Sequence, residues 1–142
     1  MENTFESFVE SGDFKEAEKL FFKTDSTKVR DSLLRIGYDK ESIVPYSFLC
    51  SLLIEHESSE LHYLASELLS NPLCFLTGAY NAALYHARMA IELSPNDINY
   101  KEYILLFYNI PEKLITKEEA VSIATEILSV NPNSIVAKDI LK

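Results

Sequence analysis

The segment TGAYNAALYHARMAIELSPND, residues 77–97, constrains the fold of this chain more than any other stretch. Alanine occurs there at positions 83, 87 and 90, and a proline follows the last of them. Because these alanines are four and three residues apart, they lie along one face of a helix. A stripe of small side chains lets a second helix approach closely, while larger neighbours such as Leu84 fill the space beside it. The segment therefore predicts a helix that packs closely against another helix.

The same pattern occurs three times along the chain. A glycine, an aromatic residue two positions later and an alanine three positions after that occur at 12, 14 and 17 and again at 78, 80 and 83. Aligning Pro95 with Pro132 places Ala83 on Ala120, although this third copy has Ile115 in place of the glycine. Glycine suits the turn between two antiparallel helices because it adopts positive φ readily. The pattern predicts helices that pair in succession.

These copies resemble the tetratricopeptide repeat (TPR), best over residues 78–133, fairly over 1–24 and poorly over 25–70. The resemblance implies an all-α fold of TPR-like helical hairpins, with about eight or nine helices. They would form a single domain over residues 1–142, with a capping helix at 134–141. Pro72 interrupts the first helix expected for the middle repeat, so irregular helices are expected there.

Apolar periodicity and capping residues predict the helix positions. The predicted helices span 2–11, 13–23, 27–36, 41–55, 58–71, 79–93, 98–109, 117–130 and 134–141. Gly37 is predicted to end the third helix. Segment 42–54 has the β-branched and aromatic content of a strand, but a lone strand would lack a partner, so it is predicted to be helical. Ile135, Ile140 and Leu141 are expected to face inward from the capping helix.

Charge and hydropathy exclude several classes of protein. The net charge of −9 opposes binding to nucleic acid or to an anionic membrane, because both require neutralisation of phosphates by lysine and arginine. No apolar run approaches the roughly 20 residues that span a bilayer. The start, MENTFESFVE, lacks the features of a secretory signal, so the chain is expected to be cytoplasmic.

The residues that commonly carry chemistry form no recognisable motif. There is no GxSxG and no phosphate-binding glycine loop, so no enzymatic activity and no cofactor are predicted. Cys50 and Cys74 lack metal-ligand spacing and are expected to be small buried residues. His56 and His62 are six residues apart, which does not place them on one helix face, so no metal site is predicted. We expect both on a polar face, with His86 beside the alanine stripe.

Acidic residues are concentrated in the middle of the chain. Residues 41–87 contain no lysine or arginine, whereas Glu55, Glu57 and Glu60 fall within them, close to Tyr63. One interpretation is a solvated acidic face that keeps the protein in solution. The other is a surface that contacts a basic partner, and Glu55, Glu57, Glu60 and Tyr63 are then the first candidates for contacts.

A second group of candidates follows from the resemblance alone. In the repeat family, the first helix of each pair lines the concave face that binds ligands. By resemblance, Asn99, Glu102, Tyr103 and Leu106 are candidates for that face. Tyrosine provides a large contact area at low entropic cost, which suits an interface. The alternative is that Tyr103 and Leu106 pack on the next helix.

These observations predict a non-catalytic protein-binding module. The first hypothesis is a bacterial immunity protein that neutralises a basic toxin domain by direct binding, as a monomer or a weak homodimer. The alternative is a TPR-type adaptor, co-chaperone or regulator that binds a peptide in its concave groove. Arg88 is the only basic residue between Lys40 and Lys101, which counts against acidic peptide tails.

Overall fold

The computed structural model of the chain describes residues 4–142, and short turns join its helices. The helices are α1 (Phe5–Ser11), α2 (Phe14–Lys23), α3 (Ser26–Lys40), α4 (Val44–His56), α5 (Ser59–Ser70), α6 (Ala79–Leu93), α7 (Ile98–Ile104), α8 (Leu106–Asn109), α9 (Lys117–Val130) and α10 (Ile135–Ile140). No strand occurs within residues 4–142. The predicted all-α fold class is therefore confirmed.

The helices fall close to where the sequence predicts them, with different ends in several cases and one interruption. Segment 42–54, which also had strand character, lies almost entirely in α4, and Pro45 stands in the first turn, where its missing N–H costs nothing. The helix predicted over 98–109 is divided at Leu105 into α7 and α8. The described residues thus hold ten helices, or nine if this interrupted pair is counted once. The predicted start of the first helix at residue 2 lies outside the described residues.

The alanine stripe is buried as predicted. Ala83, Ala87 and Ala90 are each at most 1% exposed, and α5 and α6 share the most extensive helix packing in the described part of the chain. The two backbones come close enough for the Ser66 hydroxyl on α5 to donate a hydrogen bond to the carbonyl oxygen of Ala83, at 2.8 Å. A larger side chain on this stripe would separate the two helices.

Two of the three glycines adopt the left-handed conformation that the repeat pattern requires. Gly12 and Gly78 have φ angles of 81° and 80°, one before α2 and the other before α6. The prediction for Gly37 is wrong: α3 continues to Lys40, and Glu41 is its left-handed C-cap. Gly37 instead lies against Pro72, where an added Cβ would come within 3.0 Å of the proline ring. Its role is close packing, which local sequence does not reveal.

Two apolar clusters form the core, and α5 contributes to both. The N-terminal cluster surrounds Phe48, whose ring packs against the rings of Phe5, Phe14 and Phe21. The C-terminal cluster contains Phe107, Ala83 and Ala87 of α6, and Ala120 and Ala124 of α9. Leu61, Leu64 and Leu68 of α5 belong to the first cluster and Leu69 to the second. The polar side chains of His62, Ser66, Glu67 and Ser70 on α5 are therefore held in the interior.

The C-terminal helix α10 packs on α9, but not through all of the expected side chains. Ile140 is buried as predicted, whereas Ile135 is 73% exposed and Leu141 is 46% exposed. The hydroxyl of Ser134 caps the helix and fixes its register, so that Ala137 and Ile140, three residues apart, face α9. Ile135 then points away from the core.

Candidate functional site

A pocket of about 500 Å³ lies between α2, α3 and α5. Its walls are mainly apolar, and its volume falls in the range of about 300–1,000 Å³ that is typical of sites for small ligands. The apolar walls come from Phe21, Phe22, Val29, Leu61 and Leu64, and the charged or ring-bearing polar residues are Arg30, His56, Glu60, Tyr63 and Glu67. Two predicted contact residues, Glu60 and Tyr63, thus line the same pocket.

An ion pair between α3 and α5 occupies one side of the pocket. The Arg30 guanidinium donates from Nε to Glu67 Oε1 at 3.0 Å and from Nη2 to Oε2 at 2.6 Å, which is a bidentate arrangement. Its Nη1 reaches Asp31 at 3.3 Å. The hydrogen bond to Glu67, whose side chain is only 9% exposed, raises the pKa of Arg30. The positive charge of Arg30 is therefore balanced within the protein by Glu67 and Asp31.

The three predicted glutamates differ in their surroundings. Glu60 stands in the first turn of α5 and has no ion-pair partner within residues 4–142. Glu55 is exposed at the end of α4. Glu57 is half-exposed but holds an interior residue, because its Oε2 lies 2.8 Å from His62 Nε2. Glu55 and Glu60 are thus the acids of this group that face solvent without such a partner.

His56 lines the pocket and connects it to a small acidic cluster. Its Nε2 lies 3.2 Å from Glu18 Oε1, and its ring packs edge-on against the Phe22 ring with centroids 4.8 Å apart. In the part of the chain that the structure describes, Glu18, Glu55 and His56 are the residues whose donor atoms could hold a metal ion, all within 4.8 Å of one another. Glu18 comes from α2, so spacing around the histidines could not reveal this set.

Tyr63 joins the two groups of residues predicted from the sequence. Its ring packs against those of Tyr100 and Tyr103 on α7, with centroids 5.4 and 4.9 Å apart. Burial and the nearby Glu67 carboxylate raise the pKa of Tyr63 to about 12, so its hydroxyl remains a hydrogen-bond donor at neutral pH. The acidic residues near α5 and the candidates on α7 are therefore neighbours.

The candidates on α7 and α8 are mostly engaged inside the protein. The Tyr103 hydroxyl lies 2.8 Å from Ser66 Oγ and 2.9 Å from Ser70 Oγ. Glu102 accepts a hydrogen bond from Ser134 Oγ at 2.6 Å, and Leu106 packs on the C-terminal cluster. Asn99 alone among these four is classed as exposed. Tyr103 and Leu106 are thus held by contacts within the protein, although the partners of the Tyr103 hydroxyl lie on α5 and not on the next helix.

A buried chain of polar side chains crosses the α4–α5–α6 interface. His62 Nδ1 lies 2.9 Å from His86 Nδ1, and His86 Nε2 lies 2.9 Å from the Tyr46 hydroxyl. Both histidines are under 5% exposed, so the expectation that His62 lies on a polar face is wrong. Burial and the neighbouring His62 lower the pKa of His86 to about 4.

The sequence contains a signal for this burial. Glu67 is the only acidic or basic residue apart from His62 between positions 61 and 70, and a helix that is apolar on all sides lies inside a protein. His86 falls between Ala83 and Ala90 of the buried stripe. The cysteines are less buried than expected: Cys50 is partly exposed and Cys74 is exposed.

Comparisons with known proteins find no family model, curated protein or solved structure that matches this chain. Within residues 4–142, none of the helices combines the length and apolarity that crossing a membrane requires.

Proposed function

We propose that this protein is a non-catalytic protein-binding module, a bacterial immunity protein that neutralises a basic toxin domain by direct binding. The pocket between α2, α3 and α5 carries this proposal, because it combines apolar walls with the unpaired carboxylate of Glu60. Such a combination suits a protein partner, since a fully desolvated apolar centre and a charged rim are typical of interfaces.

The charges around the pocket favour a basic partner. Arg30 is matched by Glu67, whereas Glu60 and the nearby Glu55 are not held by any ion pair in the described chain. The net charge of −9 adds a long-range attraction for cationic proteins. Toxin domains that cleave nucleic acid carry basic surfaces because they bind phosphates. An acidic protein that covers such a surface would block access of the nucleic acid.

The alternative, an adaptor that binds a peptide along the α7 face, has weaker support. Contacts within the protein already engage the side chains of Glu102, Tyr103 and Leu106. A peptide on that face would have to displace these contacts or bind mainly through Asn99.

The experiment is titration calorimetry of the purified chain with the C-terminal domain encoded by the adjacent upstream gene. Measurements at about 50 and about 300 mM salt bracket physiological ionic strength. We expect tight one-to-one binding that weakens at the higher salt, because opposite surface charges are screened. Absence of binding at micromolar concentrations would remove the immunity proposal.

A pair of matched variants tests the position of the binding face. Glu55→Lys with Glu60→Lys reverses the two unpaired acids, and leaves Glu57 in place because it holds His62. Glu112→Lys with Glu118→Lys changes the net charge equally at exposed positions outside the pocket. We expect the first variant to weaken binding by at least about tenfold and the second much less. Equal effects would show that net charge alone governs binding.

A further inference from the structure

Phe22 gives the pocket an apolar wall that solvent reaches, because this large side chain is 55% exposed. Its ring packs edge-on against Phe21 and His56, so it is held in place beside the opening and does not hang free in solvent. Val29 and Leu61, both at most 5% exposed, provide buried apolar surface on α3 and α5. A single apolar side chain entering here would cover surface that water now contacts.

The charged residues of the pocket determine which charged group can bind beside that apolar side chain. Arg30 already donates from Nε and Nη2 to Glu67 and from Nη1 to Asp31. An incoming carboxylate would therefore find three of the five Arg30 N–H donors occupied, and it would also face the carboxylates of Glu60 and Glu67. An incoming ammonium or guanidinium group would instead find the carboxylate of Glu60, which has no ion-pair partner within residues 4–142.

We propose that this pocket receives one large apolar side chain of the partner together with an adjacent lysine or arginine that pairs with Glu60. This inference rests on the proposed function and names the recognition element of the same site. The apolar side chain of the partner would be buried in the pocket, and Glu60 would favour partners with a basic surface. An apolar side chain beside an acidic residue is rejected, because two carboxylates would then meet at the pocket.

The first test uses dipeptide probes and does not require the partner. Acetylated dipeptide amides Trp-Arg, Trp-Glu and Gly-Arg are titrated into the ¹⁵N-labelled chain, and the backbone amide signals of Leu61, Tyr63 and Leu64 are followed. We expect saturable shifts with Trp-Arg, binding of Trp-Glu at least about fivefold weaker, and no saturable shift with Gly-Arg. Equal binding of Trp-Arg and Trp-Glu, or shifts located elsewhere, would overturn the inference.

Two pairs of variants separate the apolar contribution from the charge contribution. Phe22→Ala should weaken Trp-Arg binding at least about fivefold, whereas Phe75→Ala, at 56% exposure outside the pocket, should leave it unchanged. Glu60→Gln should weaken Trp-Arg about threefold to fivefold and reduce its advantage over Trp-Glu. Glu118→Gln is its control, because Glu118 also occupies the first turn of a helix. Loss of binding in either control would contradict the assigned pocket.

The same variants distinguish this inference from the proposed function. If the toxin domain binds and the reversal of Glu55 and Glu60 weakens it, but Phe22→Ala has no effect, the anchor is wrong and the function stands. If Trp-Arg binds as described but the toxin domain does not, the pocket specificity stands and the immunity assignment fails.

Discussion

The Nδ1 atoms of His62 and His86 lie 2.9 Å apart inside the α5–α6 interface, where both side chains are almost fully buried. A hydrogen bond between two imidazole nitrogens requires one donor and one acceptor. The Glu57 carboxylate only accepts, so His62 carries its proton on Nε2. In the form with both imidazoles neutral, His86 then donates from Nδ1 to His62 and accepts at Nε2 from the Tyr46 hydroxyl.

This arrangement predicts that acid destabilises the fold. The pKa of His86 is lowered from 6.5 to about 4, mainly by burial, so the unfolded chain binds this proton more readily than the folded chain. The stabilisation is complete above pH 6.5 and is lost as the pH falls towards 4. We expect His86 to account for a loss of about 3 kcal/mol over that interval, measured by urea unfolding at several pH values.

A variant isolates the contribution of this histidine. His86→Gln should lower stability near neutral pH but flatten the decline between pH 6.5 and 4, because its side chain does not titrate. His56→Gln is the control, since His56 lies at the surface beside Glu18. The other groups close to the pair are Glu57, Tyr85, Tyr46 and Cys50. A wild-type pH profile in the His86 variant would show that the decline does not arise from His86.

The alanine stripe leads to a second prediction. Ala87 is 1% exposed where α6 packs against α5, so Ala87→Leu should cost about 1–3 kcal/mol through overpacking. Asn81→Leu places the same side chain on the exposed face of the same helix and should change stability by less than about 0.5 kcal/mol. Urea unfolding compares the two variants. A harmless Ala87→Leu would mean that the interface relaxes around small residues.

Much of the fold follows from the sequence because it depends on local chemistry. Helix positions follow from apolar periodicity and capping residues, and the turn glycines Gly12 and Gly78 follow from their place before alanine-bearing helices. Local sequence does not predict the role of Gly37, because that role depends on Pro72, which is distant in sequence. The apolar periodicity of residues 98–109 likewise does not predict the interruption of the helix at Leu105.

The glycines provide a third prediction, in which the same substitution acts by two mechanisms. Gly78 has φ of 80° and open space around its Cα, so Gly78→Ala should cost about 1–2 kcal/mol of backbone strain alone. Gly37 lies within α3, where alanine would otherwise stabilise the helix by up to about 1 kcal/mol. The Pro72 ring at 3.0 Å opposes that gain, so we expect Gly37→Ala to be destabilising.

The effect of Pro72 is measured by a double-mutant cycle with Pro72→Ala. We expect a coupling of about 0.5–3 kcal/mol between positions 37 and 72, and none between positions 78 and 72. Zero coupling for Gly37 would mean that the proline ring moves aside at no cost.

The candidate site could be predicted only in part, because its residues converge from distant helices. The charge pattern of residues 41–87 pointed to Glu60 and Tyr63, and both line the pocket. No local sequence pattern indicates that Arg30 and Phe22 line the pocket, because Arg30 contacts α5 and Phe22 contacts α4. The charge pattern does not distinguish Glu57, which bonds to His62 Nε2, from Glu55 and Glu60, which have no ion-pair partner in the described residues.

The pair formed by Arg30 and Glu67 leads to the last prediction. Arg30→Met leaves the Glu67 carboxylate, 9% exposed, without its bidentate partner, and should cost about 1–3 kcal/mol because Arg30 itself is 43% exposed and partly screened. Adding Glu67→Gln should recover part of this loss, since the buried charge is then removed as well. Lys19→Met breaks the exposed pair with Glu16 and should cost less than about 0.5 kcal/mol. Urea unfolding of the wild type, Arg30→Met, Glu67→Gln and the double variant measures the cycle, and additive losses would show that the bidentate pair does not stabilise the contact between α3 and α5.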